Sequence, residues 1–347
     1  MGALILNIGK DEDINSVIDL GAGQGYLSRT MAYQYDFQVI AVDESEVQTC
    51  GAKRFDNIAV KGYKHKETLL HHVKDRFTNE NAAMILSSLQ QKQHSFCSVP
   101  SNPIPNEENK EDEKENEKNQ PWLICGLHAC GDLSSIMLRL FIQQPDIQAI
   151  VNVGCCYHFL THDDILPGFP MSQTVQETGF KLGSIASMLA CQTPSRWLDQ
   201  RDSSIKAFEH HFFRALLQWI MVKKGLISAT EKAPIIGRLN KKKDFDSFPI
   251  YVKAALHKLK MDPDVISMEE SKSYYEQFKS KSKIDKRIGV LWTIRALLGP
   301  VIESLILVDR YLYLCENIPS SNTKKVWLQP LFDPILSPRN MVIMATK

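Results

Sequence analysis

The first clear hydrophobic pattern of the chain lies between residue 16 and about residue 77. A short apolar strand, SVIDL, runs into the glycine-rich turn GAGQG, and the next segment, YLSRTMAYQY, carries apolar residues at helical spacing. The apolar, β-branched run FQVIAVD then predicts a second strand. This order of strand, helix and strand is typical of a βαβ unit, which places its two strands parallel in one sheet.

A second βαβ unit is predicted further along the chain. The strand-like runs WLICGLHA and AIVNVGCC flank the helical stretch LSSIMLRLFIQQ, and both runs are apolar enough for strands that are buried on two faces. The last segments, VWLQPLFDP and NMVIMATK, predict an antiparallel hairpin. The pattern therefore predicts an α/β fold with a doubly wound, largely parallel sheet.

Two segments interrupt this predicted domain. Residues 90–120 include NEENKEDEKENEKNQ, which has no apolar residue, so they predict a disordered acidic insertion. Residues 167–317 are mostly helical in pattern. The chain is therefore expected to divide into the first half of the sheet domain at 1–89, the acidic insertion at 90–120, the second half of the parallel sheet at 121–166, a helical insertion at 167–317 and a closing hairpin at 318–347.

Composition changes this picture mainly through charge. The 347 residues carry 41 Lys and Arg against 40 Asp and Glu, a formal net charge of +1. That total hides an asymmetry, because residues 1–194 have a net charge of −9 and residues 195–347 a net charge of +10. The basic half suits an acidic partner such as RNA, and the near-zero total does not exclude one.

The sequence predicts no membrane partner and an intracellular location. No stretch approaches the roughly 20 uninterrupted apolar residues of a membrane-spanning helix. The best candidate, VIESLILVDRYLYL, is interrupted by Glu303, Asp309 and Arg310. Without a recognisable secretory signal, the 8 cysteines are expected to be reduced, in the cytoplasm or the nucleus.

The turn after the first strand carries the strongest functional signal. In VIDLGAGQG the glycines Gly21, Gly23 and Gly25 allow a ligand to approach the backbone, and the following helix offers free N–H groups. A dinucleotide fingerprint needs a third glycine at position 26, which is Tyr26. Asp19 before the turn would repel a pyrophosphate but can pair with the ammonium group of S-adenosyl-L-methionine (SAM).

A second carboxylate follows at the end of the next strand. Asp43 ends the run FQVIAVD, where a carboxylate can accept hydrogen bonds from both hydroxyl groups of a ribose. A strand-to-helix turn that only serves packing has no use for carboxylates at both strand ends. The pattern therefore favours a SAM-type ligand over a bare turn.

These features resemble the class I, seven-stranded SAM-dependent methyltransferases. The strings GLHACGDLS, VNVGCCYHFLT, SMLACQTPSRW and PLFDPILSPRN are more particular and resemble the family of methyltransferase-like protein 25. The resemblance implies a Rossmann-like seven-stranded methyltransferase fold, with a helical insertion before the last two strands, and SAM as the cofactor. The expected cofactor-binding residues are Asp19, Gly21, Gly23, Gly25, Tyr26, Asp43 and His128.

The sequence departs from the family pattern in two places. Members carry a helical segment ahead of the first strand, whereas this chain has about fifteen residues there, so we expect an N-terminally shortened form such as alternative splicing produces. The third strand of the fold, which ends in a residue that caps the adenine, is not identifiable between Asp56 and Gln120. The adjacent histidines His71 and His72 are instead assigned to a helix.

Cysteine and histidine residues cluster just after two strands that should lie side by side. They are His128, Cys130, Asp132, Cys155, Cys156 and His158, and we expect them to face the same crevice as Asp19 and Asp43. A catalytic hypothesis gives roles to Asp132, His158 and Cys156, with Asp132 or His158 accepting a proton from the nucleophile.

Two other interpretations of this cluster stay open. Zinc is disfavoured because the spacing is not a standard one and because vicinal Cys155 and Cys156 should point to opposite faces of a strand, so no metal is assigned. The cysteines could also serve only as small apolar residues in the core, which is the favoured role of Cys155.

Together the patterns predict a SAM-dependent methyltransferase that acts on a macromolecular acceptor, either RNA or protein. The D/N-P-P-Y tetrapeptide that holds an exocyclic amine is missing after GLHACGDLS, which argues against amino methylation of adenine. The alternative is a catalytically inactive binding protein that keeps the fold. A nicotinamide dehydrogenase is disfavoured by Asp19 and Tyr26.

Overall fold

The computed structural model of the protein describes residues 1–59, 62, 69–78, 80–81, 83–85, 87–88, 120–162, 165–230, 233–240, 242–319 and 325–347. The predicted acidic insertion at 90–120 lies outside these residues except for Gln120. The described chain divides into two compact units. The first contains residues 1–192 and 299–347, and the second contains residues 193–298.

A seven-stranded sheet forms the centre of the first unit, with the order β3-β2-β1-β4-β5-β7-β6. Strands β1 to β5 are parallel, and β7 runs antiparallel to both β5 and β6. The strands are β1 Ser16–Leu20, β2 Gln38–Asp43, β3 Leu70–Lys74, β4 Trp122–Cys130, β5 Ile147–Cys155, β6 Lys325–Pro330 and β7 Met341–Thr346. This is the predicted Rossmann-like methyltransferase fold, with helices inserted before the last two strands.

The sheet is covered on both faces, as its near-continuous apolar strands require. Alternate residues of each strand enter two different core clusters, because successive side chains of a strand point to opposite faces. Ile18 and Ile40 belong to one cluster, and their neighbours Val17 and Val39 belong to the other. The two clusters hold β1, β2, β4, β5 and β7 firmly in place.

Helices precede and connect these strands in the first unit. They are α1 Gly2–Asp11, α2 Tyr26–Arg29 continuing as a π-helical stretch Thr30–Gln34, α3 Glu46–Ala59, α4 Leu133–Gln143, α5 Gln173–Glu177, α6 Ser184–Ala190 and, in the numbering below, α12 Gly299–Asn317. Helix α1 lies ahead of the first strand and buries Ile5 in the core.

The regular secondary structure of the second unit's described residues is entirely helical. Its helices are α7 Arg196–Asp199, α8 Arg201–Lys223, α9 Phe248–Lys258, α10 Met268–Glu276 with a π-helical extension Gln277–Lys281, and α11 Ile284–Leu297. Its core is rich in aromatic side chains, including Phe213, Phe248 and Tyr251. The predicted helical segment 167–317 is thus shared, because residues 167–192 and 299–317 belong to the first unit.

The third strand of the sheet is present, contrary to the expectation that none is identifiable there. Strand β3, with the sequence LHHVK, pairs in parallel with β2, and Val42 lies in register with Val73. The assignment of His71 and His72 to a helix is therefore wrong. The two histidines hid the strand because an edge strand is only half buried and needs no continuous apolar run.

One helical segment among the described residues, Ile284–Asn317, is long and apolar enough to cross a membrane by length and composition alone. Two of the charged residues in this segment lie in the interior of the fold. Asp309 and Arg310 are fully buried, and Asp309 accepts hydrogen bonds from Met171 and Ser172. These contacts anchor α12, the part of the segment that belongs to the first unit, in the core of that unit.

Candidate active site

The loop after β1 is built by glycines in a left-handed backbone conformation. Gly23 and Gly25 have φ angles of 56° and 71°, a region that other residues rarely adopt. A side chain at Gly25 would also meet the ring of His72, with its Cβ only 2.8 Å from Cε1 of the histidine. At Gly23 a Cβ atom would meet nothing within 4 Å, so the loop leaves open space on that side.

Asp43 at the end of β2 fastens this loop to the neighbouring strand. One of its carboxylate oxygens, Oδ2, accepts a hydrogen bond of 2.9 Å from the Gly23 N–H, and Oδ1 accepts one of 2.9 Å from the Ser45 N–H. Each oxygen has a further lone pair, so the carboxylate can still accept hydrogen bonds from a ligand. The predicted ribose-binding carboxylate is therefore part of the loop's own scaffold.

Asp19 lies on β1, just before the same loop, and is almost fully buried, with 2% of its surface exposed. Its Oδ2 accepts a hydrogen bond of 2.6 Å from the hydroxyl of Ser28 in α2. Burial raises the pKa of Asp19 to about 6, and the hydrogen bonds from Ser28 and Cys125 only partly offset this effect. Nearby His72 lowers this pKa and nearby Asp43 raises it further.

The buried carboxyl group of Asp19 should make stability depend on pH. A carboxyl group with a raised pKa in the folded state destabilises the fold only where the unfolded chain ionises it, which begins near pH 4. The free energy of unfolding of the wild type, relative to Asp19→Asn, should therefore fall by about 2–3 kcal/mol between pH 4 and pH 6, and stay level above that. Urea denaturation of both proteins across this pH range measures the difference. Two parallel pH profiles, or a difference that grows in favour of the wild type, would contradict the assignment.

A large cavity opens at the carboxyl ends of β1, β2 and β4. Its volume is about 1130 Å³, enough for a nucleoside-sized ligand with room for a further group. It lies where the strand order reverses between β1 and β4, the position at which open α/β sheets bind ligands. Six of the seven predicted cofactor residues line it, namely Asp19, Gly21, Gly23, Tyr26, Asp43 and His128. Gly25 does not line the cavity and instead shapes the turn.

Other residues of the cavity were not anticipated from the sequence. The segment after β3 supplies five of them, Asp75, Arg76, Phe77, Thr78 and Glu80. Their position after a parallel strand next to Asp43 could have identified them, had β3 been recognised. Phe159 and Thr161 also line the cavity and belong to the string VNVGCCYHFLT, which the sequence already marks as particular.

The structure separates the six residues of the predicted Cys/His cluster into two groups. His128, Cys130 and Asp132 line the cavity. The Oδ1 atom of Asp132 accepts a hydrogen bond of 3.1 Å from the Thr161 N–H, which fixes the carboxylate at the start of α4. Asp132 is therefore placed to accept a proton from a group in the cavity.

The other three residues, Cys155, Cys156 and His158, do not line the cavity. The Nδ1 atom of His158 lies 3.4 Å from the Sγ atom of Cys191, and the imidazole ring packs on Phe159 at 4.0 Å between centroids. Cys156 has a left-handed backbone with φ 50° and ψ 45°, which ends β5 and turns its side chain. The two vicinal thiols therefore lie 3.7 Å apart, and the expectation that they point to opposite faces is wrong.

The thiols at the ends of β4 and β5 shift one another's pKa values. The Sγ atom of Cys130 lies 3.1 Å from that of Cys155 and 3.4 Å from that of Cys156. Hydrogen bonding from Cys155, assisted by Cys156, lowers the pKa of Cys130 to about 6, against the effect of burial. The hydrogen bond to Cys130 raises the pKa of Cys155, and burial raises that of Cys156. Cys130 is therefore the thiol of this group that is ionised near neutral pH.

Comparison with known proteins agrees with this architecture. A family model described as a methyltransferase domain matches residues 2–163, which contain β1 to β5 and the cavity loops. The chain thus contains a methyltransferase domain of the Rossmann-like class I type, a fold that implies SAM as its cofactor.

The chain is similar to proteins named methyltransferase-like protein 25. It is 26% identical over 452 aligned residues to the human protein named probable methyltransferase-like protein 25, an alignment that covers 100% of this chain and 73% of that protein. The mouse protein of the same name is 34% identical over 237 residues, covering 65% of this chain and 37% of the mouse protein. The matched part of the chain therefore covers little more than a third of the mouse relative.

Solved structures give only weak likenesses. The methyltransferase domain of bacterial CtHen1 is 14% identical, with a TM-score of 0.26 over 44% of this chain and 62% of that one. A SAM-dependent methyltransferase from Agrobacterium tumefaciens is 13% identical, with a TM-score of 0.27 over 51% and 48%.

Proposed function

We propose that the protein binds SAM in the cavity at the ends of β1, β2 and β4 and transfers a methyl group to a macromolecular acceptor. The observation that carries the proposal is the glycine loop held to Asp43 at the rim of a cavity of about 1130 Å³. SAM supplies an activated methyl group on a positively charged sulfur, which a nucleophile displaces in line.

The residues around the cavity fit this ligand. Gly23 leaves open space above the loop, and Asp43 has free lone pairs for the hydroxyl groups of a ribose. Asp19 is anionic above pH 6 and can pair with an ammonium group, directly or through a water molecule. No phosphate-binding arginine or lysine is needed, since SAM contains no phosphate.

The chain's own residues can also assist the acceptor. Methyl transfer is an in-line displacement, so most of the catalysis comes from holding the two reactants in position. Asp132 lies in the cavity with its carboxylate held by Thr161, and it can take a proton from an acceptor that arrives protonated. Of the predicted catalytic residues, Asp132 has the position that this role requires.

The acceptor is proposed to be a macromolecule. The net charge of +10 over residues 195–347 supports an acidic acceptor such as RNA, because a basic surface raises the local concentration of a polyanion. Protein is the competing acceptor class. A catalytically inactive binding protein is the competing function, and it predicts that SAM binds without any transfer.

A radiolabel experiment tests this proposal with a matched pair of glycine variants. Wild-type chain and labelled SAM, incubated with separate RNA and protein fractions, should label one of the two. Gly23→Ala places a methyl group in the open space of the loop and should weaken SAM binding by about tenfold or more, with a parallel loss of labelling.

Gly179→Ala is the control for the loss of stability that follows when a residue other than glycine adopts a positive φ angle. Gly179 has a φ of 69° and open space around it, like Gly23, but it lies outside the cavity. Both variants should lose about 1 kcal/mol of stability, whereas only Gly23→Ala should lose affinity in calorimetry. Absence of SAM binding by the wild type at millimolar ligand would refute the proposal. Binding without transfer to either fraction would favour the inactive binding protein.

A further inference from the structure

Three cysteine thiols meet at the carboxyl ends of β4 and β5. The Sγ atoms of Cys130, Cys155 and Cys156 are separated by 3.1, 3.4 and 3.7 Å. Among the described residues, this is the one group of three or more metal-ligating side chains whose ligand atoms lie within 4.8 Å of one another. Core packing alone does not explain the arrangement, since Cys130 is exposed and Cys156 is only partly buried.

Two irregularities of the backbone bring these thiols together. A register shift in β4 between Gly126 and Ala129 places Cys130 directly opposite Cys155 of β5. Such shifts re-aim side chains at the end of a strand. Cys156 then adopts its left-handed conformation, which is unfavourable by about 1–2 kcal/mol for a residue other than glycine. Strain of this kind persists where the surroundings enforce it, and it concentrates at ligand sites.

A third observation concerns charge. The guanidinium group of Arg310 is fully buried, and its three nitrogens have no hydrogen-bond partner among the described residues. It packs against Gly154, next to Cys155, and over the ring of Tyr157, and the charges of Asp309 and Asp132 act on it as well as the Cys155 sulfur. A buried cation without partners is costly unless negative charge lies close to it. Three thiolates that bind one divalent cation leave a net charge of −1, which would add to the negative charge that Asp309 already places beside Arg310.

The number and type of the ligands favour zinc over other ions. In a tetrahedral zinc site with Zn–S bonds of about 2.3 Å, two sulfurs lie about 3.8 Å apart. The observed distances of 3.7, 3.4 and 3.1 Å are shorter than this value, the last by about 0.7 Å, so binding of the ion would require the thiols to move slightly apart. An iron–sulfur cluster would need four cysteines, and the part of the chain described here brings three together.

We propose that Cys130, Cys155 and Cys156 form a binding site for a single zinc ion, with its fourth coordination position open towards the cavity. Cys130 lines that cavity and is the exposed member of the group. No fourth cysteine, histidine or carboxylate among the described residues completes the set. A zinc site with three protein ligands leaves a position for water or substrate. The site does not depend on methyl transfer, so it can be tested separately.

Metal analysis of the whole 347-residue chain tests the proposal. Wild-type protein purified without chelator and dialysed should retain about one zinc ion per chain. Cobalt(II) added to zinc-free, reduced protein should give the intense thiolate-to-metal absorption and the visible bands of a tetrahedral site. This second measurement requires no variant, so it remains informative if a variant fails to fold.

Serine variants then identify the ligands. Cys130→Ser and Cys156→Ser should lower zinc content below about a tenth of the wild-type level in competition with a chelator. Cys50→Ser is the matched control, because Cys50 is an exposed free cysteine on α3 outside the group, and it should retain full zinc content.

Several results would overturn the assignment. Reduced wild-type protein that takes up neither zinc nor cobalt has no such site. Copper in place of zinc in the purified protein, or full zinc retention by both variants, would also contradict it. A Cys130–Cys155 disulfide that yields no metal binding after reduction would identify a redox pair instead. None of these measurements uses SAM, so failure here is distinct from failure of the proposed methyl transfer.

Discussion

Asp43→Ala should reduce SAM affinity by about a hundredfold or more. A carboxylate that accepts two hydrogen bonds from a ribose contributes roughly 1.5–3 kcal/mol for each bond, because bonds to charged groups are stronger than neutral ones. The variant also removes the acceptor that holds the Gly23 N–H at 2.9 Å, so the glycine loop loses its anchor to β2. Isothermal titration calorimetry with SAM measures the loss directly.

Two further variants separate ligand binding from folding. Asp43→Asn keeps one carbonyl oxygen for a backbone N–H and should lie between the wild type and Asp43→Ala in affinity. Glu46→Ala removes an exposed carboxylate three residues away, which pairs with Lys74 and does not line the cavity. It should bind SAM as the wild type does. Equal affinity of wild type and Asp43→Ala would rule out this cavity as the cofactor site.

Asp309→Asn should lower the free energy of unfolding of the first unit by about 3 kcal/mol. The buried carboxylate of Asp309 accepts hydrogen bonds from the Met171 N–H at 2.8 Å, the Ser172 N–H at 2.9 Å and the Ser172 hydroxyl at 2.7 Å. An asparagine must turn its NH₂ group towards at least one of these donors. It also removes the negative charge next to the buried Arg310.

The same helix provides a matched control for this prediction. Glu316 on α12 accepts hydrogen bonds from the Gln173 N–H at 2.7 Å and from the Thr174 N–H at 3.1 Å, but it is exposed to solvent. Glu316→Gln should therefore cost about 1 kcal/mol or less, because water replaces the lost bonds. Thermal denaturation should show a midpoint lower by roughly 6–12 °C for Asp309→Asn. Equal shifts for the two variants would show that burial of Asp309 contributes nothing.

The parts of the fold that the sequence predicts well depend on local patterns. Strand β1, the glycine loop and β2 follow from apolar periodicity and from the backbone freedom that only glycine provides. Asp19 and Asp43 could be placed at the site because parallel strands bring their carboxyl ends to one edge of the sheet. The closing hairpin, β6 and β7, follows from two apolar runs near the chain end.

The parts that the sequence could not predict depend on contacts between distant residues. Strand β3 has only a weak local signal, and pairing with β2 stabilises it as a strand despite His71 and His72. The pairing of β3 with β2 places the residues from Asp75 to Thr78 at the cavity. The boundaries of the two units are a further case, since residues 167–192 and 299–317 join the sheet domain through core packing that no local pattern reveals.

The cysteine cluster shows most clearly which features follow from the sequence and which from the tertiary structure. The sequence by itself determined that Cys130, Cys155 and Cys156 lie at the ends of two neighbouring strands, because strand order follows from the βαβ pattern. Only the tertiary structure decided that their thiols meet. The register shift in β4 and the left-handed backbone of Cys156 set the direction of each side chain, and both depend on packing and pairing across the sheet. Side-chain direction at a strand end is a property of the folded environment, and the order of residues does not encode it locally.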